Sequence, residues 1–154
     1  MSQLLLSLSL IFSLLATNVG LANEHVKIEK SPQEFVQYFF DGFNAQNEKV
    51  LDKVFNKPFM RVSDGKTTYY SSWREYVDFK RIKATGWKKS VINNSSVHHQ
   101  DKSSAILKMN FSRLDQKDEI VVQSDLIYLL TKGGNSWKIA AVIIPSSVPV
   151  SSTD

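Results

Sequence analysis

The chain reads as an α+β domain in which a long antiparallel sheet carries N-terminal helices on one face. Two stretches predict this. From Ser103 to Ser146, three runs rich in β-branched and aromatic residues (SSAILKMNFSRLD, EIVVQSDLIYLLTK and SWKIAAVIIPS) are separated by the short polar connections QKD and GGN. That is the pattern of a three-strand antiparallel meander. From Ser31 to Gly86 the apolar residues recur instead at helical spacing, interrupted by a hairpin signal at Asp64-Gly65.

The elements follow in order. Ser31-Pro32-Gln33-Glu34 supplies an N-cap, a proline at the first helical position and the glutamate of a capping box, so a helix starts there. Phe35, Val36, Phe39, Phe40 and Phe43 form its apolar face, and Asp41 points away from it. A short second helix follows Asn47, with Val50, Leu51, Val54 and Phe55 inward and Pro58 preventing continuation. Two short strands, Phe59 to Ser63 and Thr67 to Tyr70, flank Asp64-Gly65. A third helix is expected from Trp73 to about Ala84, stopping at Gly86, with Arg74, Asp78 and Arg81 facing solvent. Tyr69, Tyr70, Trp73 and Tyr76 are expected to pack under it or to line a pocket mouth. Trp87 to His99 reads as a further strand, followed by the meander. Alternation puts Ala105, Leu107, Met109 and Phe111 on one face of the first meander strand. The runs Leu126 to Leu130 and Ile139 to Ile144 are apolar on both faces, which predicts a second layer there and hence a homodimer through the outer face of the sheet.

A chain of 154 residues, 42% hydrophobic and 22% charged, has room for one core. MSQLLLSLSLIFSLLATNVGLA carries no charged side chain, and its apolar run leads to Gly20 and Ala22. Residues 1–22 are therefore expected to be a signal peptide, 23–146 the domain, and 147–154 a disordered Ser/Pro-rich tail. A periplasmic or secreted protein follows, with no membrane attachment after cleavage. There is no cysteine, which excludes disulfides, thiol nucleophiles and Cys-rich zinc sites. The net charge of +4 is mildly basic without a polybasic arm, so no nucleic-acid partner is expected. Lys80, Arg81, Lys83, Lys88 and Lys89, beside Trp87, read as the solvated end of the third helix.

In this order of elements, in the capped aromatic helix SPQEFVQYFFDGFN, in the strand SSAILKMNFSRLD closing in Arg-x-Asp, and in the last hairpin TKGGNSWKIAAV, the chain resembles the nuclear-transport-factor-2-like superfamily and its SnoaL-like branch. The resemblance runs from about Ser31 to Pro145. It implies a cone, a cystatin-like α+β barrel whose curved sheet wraps three helices, with a pocket at the wide end and dimerisation through the outer sheet face.

Several enzymes of that superfamily set patterns against which these residues can be held. Ketosteroid isomerase places a carboxylate on the first hairpin strand; Phe59-Met60-Arg61-Val62-Ser63 has none, and Asp64 belongs to the turn. Limonene epoxide hydrolase combines an Arg-x-Asp pair with an acid on the last strand. Arg113-Leu114-Asp115 matches the pair, but Trp137 to Ile144 has no acid, so Arg113 and Asp115 read as a structural salt bridge. Scytalone dehydratase and the polyketide cyclases use His and Asp. His98 and His99 are adjacent on a strand, so one should face inward, where beside Asp125 or Tyr128 it could form a proton-transfer pair; the more ordinary reading is a half-buried histidine at a strand end near the rim.

The leading expectation is a domain without an assembled active site, whose pocket, lined by Phe39, Phe43, Tyr76, Met109, Phe111 and Tyr128, holds a small, largely apolar molecule or is filled by its own side chains. The competing expectation is a cofactor-independent lyase, isomerase or hydrolase with His99 and Asp125 as acid/base groups and Arg113 stabilising charge. A third is a pure interaction module. No cofactor and no metal site is expected.

Overall fold

Six strands form one open sheet whose inner face holds the helices, in the order β2 (Lys66–Tyr70), β1 (Phe55–Ser63), β6 (Ser136–Ile144), β5 (Ile120–Gly133), β4 (Ser104–Leu114), β3 (Lys89–Gln100). The computed structural model describes residues 30–145, so the expected leader at 1–22 and tail at 147–154 lie outside the described residues.

Helix α1 (Pro32–Asn44) begins as its capping box dictates. Ser31 Oγ accepts from the Glu34 amide, and the Glu34 carboxylate accepts from the Ser31 amide at 2.7 Å. Its phenylalanines are buried, and Asp41 is exposed, accepting from Gln37. Helix α2 (Glu48–Val54), capped by Asn47, crosses α1 closely at Gly42. A Cβ at Gly42 would land on the Val50 side chain, so only glycine permits this approach.

Phe55, expected at the end of the second helix, instead opens strand β1 (Phe55–Ser63). Pro58 therefore lies inside a strand, in the segment between Phe55 and Met60 where the register to β6 slips. Proline has no amide donor to give to a ladder, and a register shift is where that absence is tolerated. The turn to β2 (Lys66–Tyr70) has Asp64 and Gly65 at φ 53° and 69°, as a two-residue hairpin requires. Tyr69, expected to pack inward, points outward at 68% exposure, while Tyr70 stacks on Phe59.

The expected third helix is two pieces, α3 (Trp73–Tyr76) and α4 (Phe79–Lys83). Asp78 breaks it: its backbone is extended, and its carboxylate caps α4 by accepting from the Arg81 amide at 3.0 Å. This is the local competition that keeps Asp out of helix interiors. Trp73 is buried and donates to Asp52, which also pairs with Arg74.

Strands β3 (Lys89–Gln100), β4 (Ser104–Leu114), β5 (Ile120–Gly133) and β6 (Ser136–Ile144) form the meander and its neighbour by antiparallel pairing. The sheet is not wholly antiparallel, however, because β6 returns beside β1 in the parallel sense. The chain leaves the β1-β2 hairpin, passes through α3 and α4 to the far edge at β3, and meanders back, so its last strand runs with its first. Ala105, Leu107, Met109 and Phe111 are buried as alternation requires. They meet α1 and α2 in a core that includes Val36, Leu51, Leu130 and Ile139, each fully buried. On the outer face Ile127, Leu129 and Ile143 are half-buried, and Ile106 is 38% exposed.

Candidate ligand-binding site

A cavity of about 720 Å³ opens between α1, the α3–α4 segment and the inner face of the sheet. Its walls are aromatic because α1 presents Phe39, Phe40 and Phe43 to the sheet, where they meet Tyr128, Phe111 and Trp87 edge-on. Of the six residues expected to line a pocket, Phe39, Phe43, Tyr76, Phe111 and Tyr128 do so. Met109 sits one pair deeper, fully buried in the core, and does not reach the space.

The polar side chains of the cavity come from the same strand rows as the apolar ones. On β4 the inward row Ala105, Leu107, Met109, Phe111 ends in Arg113, opposite Val122 of β5. On β1 the row continues from Phe59 to Arg61, opposite Val142 of β6. Both arginines line the cavity and both are half-buried. Arg113 lies with its guanidinium 5.9 Å from the Phe111 ring centroid, and its Nε is closed off from solvent without a hydrogen-bond partner. Burial pushes its pKa down, opposed by the nearby Tyr76 and Tyr128. Burial also raises the Tyr76 phenol, with Arg61 and Arg113 acting against it, and holds Tyr128 well above the ordinary tyrosine range. Both phenols therefore remain protonated donors at neutral pH. The two acids that line the cavity, Glu75 and Asp78, are exposed at its rim and already engaged: Glu75 accepts from the Ser71 amide at 3.0 Å, and Asp78 caps α4.

The expected Arg113–Asp115 salt bridge is absent. Strand β4 ends at Leu114, so strand parity no longer governs Asp115. Its carboxylate turns into the β4–β5 connection and accepts from the Lys117 and Glu119 amides at 2.8 and 2.9 Å. Arg113 is left facing the cavity without a carboxylate partner among the described residues.

A family model described as NTF2-like protein (DUF6841) matches residues 28–147. The chain belongs to this NTF2-like family. Among curated proteins no sequence matches it. Solved structures agree on the fold. A protein of unknown function from Mycobacterium tuberculosis superposes with a TM-score of 0.59 at 14% identity, covering 79% of this chain and 82% of its own. A presumed ketosteroid isomerase from Shewanella frigidimarina gives 0.54 at 16% identity, covering 72% and 91%. An uncharacterised protein with a cystatin-like fold from Caulobacter vibrioides gives 0.52 at 11%, covering 76% and 87%.

In this NTF2-like protein the residues considered for acid-base chemistry do not meet. Asp125 pairs across the sheet with Asn110 on the outer face and accepts from its amide at 2.8 Å. His99 pairs with Ile106, also in the outward row, and lies 3.5 Å from Asp101. Arg113 is on the opposite, inner face. The expectation that one of two adjacent histidines must face inward fails because the β3 register shifts between Val97 and His99. His98 and His99 are both exposed, and His98 reaches only Ser96. Trp87 is buried and donates to Ser90, so it is not a stacking surface. Arg61 was not among the residues expected at the site, because its strand stands out in the sequence only for lacking an acid. The usable signal was parity: Arg61 is two residues from buried Phe59, so it shares that residue's inward face.

Proposed function

We propose that this NTF2-like protein is an exported, dimeric, non-catalytic receptor that holds a small, largely apolar ligand in its aromatic cavity. The observation that carries this is the cavity's composition. It has the volume and the apolar walls of a small-molecule site. Yet among the described residues no carboxylate or imidazole is buried in it, so it lacks the desolvated base that proton abstraction requires. Export is supported by the apolar leader at 1–22. Dimerisation is supported by the half-buried outer row of Ile127, Leu129 and Ile143, continuous with exposed Ile106.

The direct test is purification from the native host under non-denaturing conditions, followed by mass spectrometry of the protein with any ligand retained. A thermal-shift screen of small apolar compounds accompanies it. A ligand that binds only the folded state at 100 times its Kd stabilises by about 2.7 kcal/mol, which a melt resolves easily. A retained or selected ligand whose effect disappears when Phe43→Trp fills the cavity is expected. A chain that carries nothing and responds to no compound would sink the receptor reading, and a strict monomer by light scattering would sink the dimer.

A further inference from the structure

The cavity's apolar lining makes an unpaired arginine at its wall an anomaly that structure alone does not account for. A half-buried guanidinium normally takes a carboxylate, a carbonyl or water on each donor, and a donor shut off from all three costs the fold free energy. The natural counter-ion, Asp115, is two residues away and committed to the turn. Arg61 reaches the same cavity from β1, on the same inner face of the sheet, and also forms no ion pair among the described residues. The phenols of Tyr76 and Tyr128 line the same cavity, Tyr76 near enough to both arginines to feel their charge and Tyr128 to that of Arg113, and these two further donors hydrogen bond to nothing among the described residues. The charge that reaches the interior is thus positive, with two phenol donors beside it and the acids kept to the rim. That is the complement of an anion.

We infer that the cavity takes a small aromatic carboxylate, its carboxylate held by Arg113 and Arg61 with the Tyr76 and Tyr128 hydroxyls donating, and its ring packed against Phe39, Phe43 and Phe111. The planar guanidinium fork suits a carboxylate bidentately, and the rings around it exclude the water that would otherwise compete. The assignment rests on the receptor reading above and gives it a chemical class.

The experiment titrates the purified full chain with acid–alcohol pairs of matched shape, phenylacetate with phenethyl alcohol and naphthoate with naphthalenemethanol, following tryptophan fluorescence and calorimetric heat. The same titrations are run on Arg113→Met, Arg113→Lys and Arg61→Gln. The acids are expected to bind about 10- to 100-fold tighter than their alcohols. Arg113→Met is expected to abolish that preference while leaving alcohol binding in place, and Arg113→Lys to restore part of it. Should Arg113→Met fail to fold, Arg61→Gln and Arg113→Lys carry the comparison. Equal binding of acid and alcohol overturns the anion assignment and leaves the receptor reading standing. Acid preference that survives in every arginine variant overturns it too. If neither member of any pair binds, the receptor reading falls and takes this inference with it.

Discussion

The inner face of the sheet has two ends made by the same strands and finished differently. At one end Ala105, Leu107, Leu130 and Ile139 are sealed against Val36 and Leu51 with no exposed surface. At the other, β4 continues through Phe111 to Arg113, β5 contributes Val122, Ser124 and Leu126, and the space between them and α1 stays open. Pairing explains part of the difference. β6 joins β5 only from Ile127 onward, so residues 120–126 of β5 have a neighbour on one side only. With α3 and α4 amounting to two short turns instead of one long helix, nothing thick enough lies above that end to fill it. The sealed end is what folds the chain; the open end holds the groups that the fold does not use.

The largest effect that separates the two ends is a cavity mutation. Leu130→Ala removes a fully buried side chain where the surroundings are close-packed, and it is expected to cost about 2–5 kcal/mol in a urea melt. Leu126→Ala, four residues along the same strand and on the same face, lines space that already exists. Its cost should fall well below that range, because little new void is created. Equal losses at the two sites would show that the open end is packed as tightly as the other in solution.

A smaller effect, of opposite sign, is expected at Arg113. Replacing it with Met removes a desolvated donor without a partner and keeps the apolar stem. The unliganded protein should gain about 1 kcal/mol in stability while losing its anion. A stabilised variant that binds worse is the mark of a residue kept for function. Destabilisation would mean that the guanidinium is satisfied in the free protein and that the open end is as settled as the sealed one.

How much of this could be read from the sequence differs between the ends for the same reason. The capping box, the Phe35-to-Phe43 stripe, the Asp64-Gly65 turn and the alternation through Ala105 and Phe111 are local patterns, and the packing of the core and of the cavity's aromatic walls follows them. The open end depends on where those patterns stop. Strand parity carries Arg113 inward but ends before Asp115, and one Asp78 side chain divides a helix whose apolar spacing looked continuous; at the sealed end only His99 escapes in this way, turned outward by a one-residue shift after Val97. Each is decided by a single hydrogen bond or register shift, which periodicity does not encode. The parallel β1–β6 pair was equally hidden, since it joins the first strand to the last and no local signal specifies it.

The smallest effect concerns the hairpin that closes the sealed end. Asp101 accepts from the amides and hydroxyls of both Ser103 and Ser104, at 2.6 to 3.0 Å. These bonds hold its carboxyl well below the usual carboxylate range, the Ser103 amide contributing most. A folded-state pKa below the unfolded one means that the unfolded chain binds the proton more readily. The stabilisation is therefore complete above the unfolded value, near 4, and is lost as the pH falls through the folded value. Asp101 is fully exposed, so solvent screens the effect and a modest loss is expected. Asp101→Asn should lower the melting temperature at pH 7, and the gap to the parent should narrow progressively as the pH falls below the unfolded value. The comparison is best made in a His99→Gln background, because that imidazole lies 3.5 Å from the Asp101 carboxylate. A gap that stays constant with pH would mean that the hairpin is held by its backbone pairing alone, with the carboxylate only decorating a turn that β3 and β4 already specify.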